Sequence, residues 1–151
     1  MNRNTLILAI LAFIVVALAT PFQVLGLPLA PLAALVIGAY AGWRTARFHV
    51  EGAASWGAKA GAIVGLGALL GSIVVLVVLA TALGSQTGIQ EYIRASEPHP
   101  EARIPVDAIA PLAAAGGALT GLLLGLGDLV LSAIGGLFAA VLYNRQHPAG
   151  V

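Results

Sequence analysis

The chain has 151 residues, of which 60% are apolar and only 9% are charged, and its mean hydropathy is +0.99. A soluble domain carries about 25% charged residues, so this chain has too little polar surface to cover a water-soluble core. Its net charge of +1 provides no basic field for nucleic acid. The absence of cysteine removes disulfides, thiol catalysis and cysteine-ligated metal sites. The composition therefore predicts an all-α integral membrane protein.

Four apolar segments are candidates for helices that span a bilayer, whose hydrocarbon core of about 30 Å needs about 20 residues per helix. In chain order they cover residues 5–25, 27–43, 60–83 and 117–142. The first segment has a basic start, an apolar core and an Ala17-Leu18-Ala19 triplet, which also resemble a cleavable signal peptide. We expect it to be an uncleaved first span.

The last apolar stretch leaves two layouts open. A continuous helix from Pro111 to Tyr143 would be about 50 Å long at 1.5 Å per residue, which exceeds the hydrocarbon core. Either its first turns protrude on one side of the membrane, or two short helices form a hairpin that turns near Gly127 and Asp128.

The distribution of basic residues favours the single helix. With four spans, Arg3, the 44–59 loop and Arg145 lie on one side and contain five basic residues, whereas the 84–107 loop contains two. The positive-inside rule then places both termini in the cytoplasm and the 84–107 loop outside. A hairpin would move Arg145 outside. We therefore expect residues 1–151 to form one four-helix bundle in the bacterial inner membrane, as a multi-pass protein.

The inner 44–59 loop combines basic and aromatic residues. Arg44, Arg47 and Lys59 lie close in sequence to Trp43 and Trp56. The segment is either a short interfacial helix, whose basic residues meet anionic lipid headgroups, or an ordinary solvated connector. Both interpretations remain open.

Glycines at four-residue spacing predict close helix packing, because bilayer helices associate through small residues that let their backbones approach. On the third helix, Gly67 and Gly71 form a second pair that starts on another face. The main rows are Gly57, Gly61 and Gly65 on the third helix and Gly117, Gly121, Gly125 and Gly136 on the fourth.

Asp128 is the acidic residue that falls near mid-membrane in this layout. A charge there costs roughly 2.5–3.5 kcal/mol, so we expect a neutral carboxyl that forms a hydrogen bond. The candidate partners are Ser72, Ser132 and Tyr40. Asp128 is then a structural contact between helices, a contact with a partner subunit, or a binding site for a proton, cation or polar substrate in a transport path.

The sequence gives little support for a catalytic or cofactor-binding role. His49, His99 and His147 all fall outside the predicted spans, which argues against a haem held by this chain. No Ser–His–Asp set and no pair of carboxylates converges on one side of the membrane. We therefore expect neither an enzyme nor a metal or cofactor site.

Two sequence stretches carry a resemblance to known proteins. The short Gly- and Ala-rich spans, with IGAYAGWRTAR closing the second and IGGLFAAVLYNR closing the fourth, resemble small four-span bacterial membrane proteins of uncharacterised families. This resemblance implies no site residues. The sequence as a whole indicates a non-catalytic protein that associates with the lipid bilayer and with other membrane subunits or itself. The alternative is a small transporter or channel that uses Asp128.

Overall fold

The structure, a computed structural model, describes residues 3–49, 52–85, 91, 95 and 105–147. Its main elements are four helices: α1 (Arg3–Val24), α2 (Leu29–Ala46), α3 (Ala53–Gly84) and α4 (Val106–Gln146). The all-α prediction is confirmed for the described residues. Most of the predicted outer loop, 84–107, lies outside them.

Three of these helices, α1, α3 and α4, are long and apolar enough to cross a membrane. Helix α2 is not among the three. Its 18 residues span about 27 Å, and they include Tyr40, Trp43 and Arg44, which lower its hydropathy.

Helix α4 is continuous over 41 residues, or about 60 Å. Gly127 and Asp128 lie in the middle of it and have helical backbone. The hairpin alternative is therefore wrong. A glycine inside a helix costs about 1 kcal/mol relative to alanine, and close packing of α4 against α3 offsets that cost.

The connector between α2 and α3 is much shorter than the predicted 44–59 loop. Helix α2 continues through Ala46 and α3 begins at Ala53, because the alanines that flank the connector favour helix. Gly52 precedes α3 with φ of +73°, a left-handed conformation that glycine adopts without steric cost. Arg44 and Lys59 therefore lie on helices and not in a loop.

Helices α2 and α3 each pack against the other three helices, and the contact between α3 and α4 is the most extensive in the bundle. Helix α3 runs antiparallel to α4, and each step of four residues along α3 meets a step of three or four residues back along α4. Along this seam Gly57 contacts Gly136, Gly61 contacts Ser132, Gly65 contacts Leu129, and Leu69 contacts Gly125. All seven glycines of the two predicted rows lie in this contact.

The remaining helices pack in parallel pairs through other glycines. Gly67 and Gly71 lie against the backbone of α1 at Ala9 and Phe13, and Gly38 and Gly42 of α2 lie against Ser132 and Gly136 of α4. The buried apolar side chains are mostly alanines, and Val16 and Val64 are the largest that are fully buried. Small residues thus bring the helices into backbone contact throughout the bundle.

We expect Gly121→Ala to destabilise the protein by about 1–3 kcal/mol, the usual cost of overpacking. A Cβ at this position would lie 2.6 Å from the Ile73 Cα, so α3 and α4 would have to move apart. The measurement is equilibrium unfolding in mixed detergent and SDS micelles.

Gly127→Ala on the same helix is the matched control. A Cβ there has no atom within 4 Å, and alanine favours helix more than glycine does, so stability should be unchanged or higher. Equal losses in the two variants would contradict the proposed seam.

Candidate functional site

Asp128 is buried where α4 faces α3, with 1% of its surface exposed. The close approach of the two helices at Gly121 and Gly125 removes the space that water would need around it. Four polar or charged side chains are buried in the described part of the chain: Thr20, Ser72, Asp128 and Ser132.

Three of these side chains form a polar chain that connects three helices. The Ser72 hydroxyl of α3 donates a hydrogen bond to Asp128 Oδ2 of α4 at 3.2 Å. Thr20 Oγ1 of α1 lies 3.4 Å from Ser72 Oγ on the other side. The Thr20 hydroxyl also donates to the Val16 carbonyl within α1, at 2.7 Å. Asp128, Ser72 and Thr20 therefore link α4 through α3 to α1.

The polar chain contains two hydroxyl protons and three contacts between oxygen atoms. Ser72 donates to Asp128 Oδ2 and Thr20 donates to the Val16 carbonyl, so in this arrangement neither proton serves the 3.4 Å contact between the two hydroxyls. An uncompensated buried charge is costly, which favours a neutral Asp128.

Two buried side-chain oxygens have no hydrogen-bond partner among the described residues. They are Asp128 Oδ1 and Gln23 Oε1. Buried polar atoms usually have a partner, so Asp128 Oδ1 is the point at which the polar chain is open to a further donor.

Ser132 is buried but does not contact Asp128, although the sequence suggested it as a partner. Its hydroxyl donates to the Gly61 carbonyl of α3 at 2.8 Å, and Gly38 of α2 packs against it. Ser132 therefore forms a second polar contact at the α3–α4 seam, one helical turn beyond Asp128.

Tyr40 does not belong to the site, and the suggestion that it contacts Asp128 is wrong. Its side chain is 45% exposed, and its ring lies 6.1 Å from that of Trp43. The reason is helical geometry: Gly38 and Gly42 turn toward α4, and Tyr40 lies about 200° around the helix from both.

Thr20 is the site residue that sequence reasoning missed. The sequence of α1 gave no signal for it, because this helix is apolar on every face, and only the structure shows that Leu8, Ala12, Val16 and Thr20 are buried at four-residue spacing. Such a stripe is the buried face of a helix. A polar residue that continues an apolar stripe marks a position where a polar partner is needed.

The predicted headgroup-binding residues lie at the end of the bundle that contains the 47–52 connector. The Arg47 guanidinium lies 3.7 Å from the centre of the Trp43 ring, and the Lys59 ammonium lies 4.9 Å from that of Trp56. Arg44 occupies the last turn of α2. Cations over tryptophan faces at helix ends are typical of a membrane interface.

Comparisons with known proteins add no family to this description: no family model, no curated protein and no solved structure matches the chain. Within the described residues, no three His, Cys, Asp or Glu side chains come together as a metal site would require. The geometry of the polar chain and of the interfacial end is therefore the basis for a functional proposal.

A double-mutant cycle between Asp128→Ala and Ser72→Ala should give a coupling energy of about 0.6–2 kcal/mol, the range of hydrogen bonds between membrane helices. The physical reason is the direct contact of the two side chains. Unfolding in SDS mixtures measures all four members of the cycle.

The same cycle between Asp128→Ala and Ser132→Ala is the control, because Ser132 bonds to the Gly61 carbonyl instead. Its coupling energy should be close to zero. If it equals that of the Ser72 cycle, the assigned hydrogen-bond pattern is incorrect.

Proposed function

We propose that this chain is a non-catalytic integral membrane protein that acts as a structural or accessory subunit of a membrane complex, or as a homo-oligomer. The observation that supports this role is the buried polar chain of Thr20, Ser72 and Asp128. Each of its three links joins groups inside the bundle, as expected of a contact that sets how helices pack.

The surroundings of Asp128 support a structural role over a transport path. Four of the surface cavities between helices of the described region are lined by none of the three residues Asp128, Ser72 and Thr20. The glycine seam of α3 and α4 holds the two backbones together from Gly57 to Gly84. A substrate path to the carboxyl would require these helices to separate.

The outer face of α4 supports association with another chain. Most glycines of α4 are packed inside the bundle. The exceptions are Gly116 and Gly127, where an added Cβ would meet no atom within 4 Å. Exposed glycines on an apolar helix favour close approach of another helix. A second membrane subunit or a second copy of the chain fits this face.

We also propose the orientation of the chain. The helix directions bring five of the seven basic residues to one end of the bundle, and the positive-inside rule assigns that end to the cytoplasm. In this layout α2 is the second of four spans and residues 84–107 are external. The five residues are Arg3, Arg44, Arg47, Lys59 and Arg145.

A small transporter or channel is the second candidate. It is favoured by the unpartnered buried oxygens of Asp128 and Gln23, which are acceptors suited to a proton or cation. In this role Asp128 changes its protonation or binds the ion during transport.

Single cysteines test the orientation, since the chain contains none of its own. A membrane-impermeant maleimide applied to intact cells should label Ser85→Cys, which is exposed at the end of α3. It should label Gln146→Cys, exposed at the end of α4, only after the cells are permeabilised. The reverse pattern would show that the proposed orientation is inverted.

Native mass spectrometry of the tagged protein, extracted in a mild detergent, tests the subunit role. We expect fixed stoichiometry with other membrane chains or with further copies of itself. A monomer that conducts protons in liposomes, and loses conduction in a folded Asp128→Asn variant, would contradict this role and support the transporter. Because asparagine keeps the oxygen that accepts from Ser72, a structural Asp128 predicts only a modest stability loss in that variant.

A further inference from the structure

Helices α1 and α3 enclose a groove with a polar end and an apolar body. The polar end is a cavity of about 180 Å³, and the apolar body is a second cavity of about 330 Å³. Ile63 lines both, so the two cavities adjoin. The polar end includes Thr5, Thr45, His49, Trp56 and Lys59, and the apolar body includes Leu6, Ile10, Phe13, Leu66 and Leu70.

The polar end presents positive charge and hydrogen-bonding groups. Lys59 lies over one face of the Trp56 ring, and the His49 ring stacks on Trp56 with centroids 4.6 Å apart. Lys59 is the cation of the cavity lining, and no carboxylate is part of that lining. Glu51 lies outside the described residues. The lining therefore complements an anionic group.

The apolar body follows from how α1 and α3 pack. Gly67 brings α3 against the backbone of α1 at Ala9, and larger side chains stand on either side of this contact. Ile10, Leu66 and Leu70 are each about half exposed. These side chains form the walls of the apolar body, which runs along the two helices and begins next to the polar end.

We propose that this groove is a binding site for one anionic phospholipid, with its phosphate at Lys59 and one acyl chain between α1 and α3. A pocket that combines a basic residue with an adjoining apolar groove at a helix end matches both parts of such a lipid. The lipid-binding proposal requires that the chain lies in a membrane, but it does not depend on the subunit role. Either of these two proposals can therefore be overturned without the other.

A second groove in the same molecule supplies an internal contrast. It lies between α2 and α4 and also joins an interfacial cavity, which contains Trp43 and Tyr143, to an apolar one through Ala39 and Leu142. Its lining contains no lysine or arginine. The Arg47 guanidinium lies over the Trp43 ring but is not part of this lining. We therefore expect the second groove to accept an acyl chain with less selection of the headgroup than the α1–α3 groove.

The test uses the purified full chain in mild detergent with equal amounts of dioleoyl phosphatidylglycerol and dioleoyl phosphatidylcholine, which share their acyl chains. Native mass spectrometry measures how much of each lipid the protein retains. The wild type should prefer phosphatidylglycerol, and Lys59→Gln should lower the preference about fivefold, the effect of one basic residue near an anionic headgroup. Arg145→Gln, at the same end but outside the groove, should leave the preference close to wild type.

The acyl part is tested with a bulky residue in the groove. Ile10→Trp should lower retention of both lipids alike, whereas Ile7→Trp, equally exposed but not part of the lining, should lower neither.

An equal effect of Lys59→Gln and Arg145→Gln would show general electrostatic attraction and overturn the site. Two further results together would overturn the lipid proposal and assign the pocket to a free ion. They are displacement of phosphatidylglycerol by millimolar inorganic phosphate, and retention of phosphatidylglycerol by the Ile10→Trp variant at the wild-type level.

Discussion

The close approach of α3 and α4 is the constraint on which the rest of the structure depends. Glycines on both helices let the two backbones touch over most of the length of α3. Between membrane helices there is no hydrophobic driving force of the kind that folds soluble proteins, so association relies on such van der Waals contact and on a few polar contacts. The burial of Asp128 and its hydrogen bond to Ser72 both follow from this seam. The alanine-rich core lies mainly between α1, α2 and α3.

The polar chain and the glycine seam depend on each other. A carboxyl between helices that stood farther apart would meet lipid or water, and its contact with Ser72 would be lost. Conversely, the direction of the Ser72 and Ser132 hydroxyls fixes the register of the seam, because each bonds across it at one position only. Tight packing with satisfied hydroxyls describes a rigid bundle, which accords better with a structural subunit than with a helix pair that opens during transport.

The two ends and the surface of the bundle have a different chemistry from its interior. Where glycines bring helices together, the larger side chains beside them project outward and leave grooves along the α1–α3 and α2–α4 pairs. Tryptophans lie at the same end of both grooves, and Lys59 belongs to the lining of the α1–α3 groove. In a membrane-embedded chain, such an end meets the lipid headgroups. The packing that stabilises the bundle thus also shapes the surfaces available to lipid.

The sequence by itself determined the helical class and the glycine rows, because periodicity and composition act locally along each helix. It favoured a single helix over residues 108–143, and it named Ser72 as one of three candidate partners of Asp128. Only the tertiary structure decided that Thr20 completes the polar chain, that Ser132 bonds to the Gly61 carbonyl, and that Tyr40 faces away from the site. These contacts depend on the rotation and offset of one helix against another, which are determined by packing between segments distant in the chain.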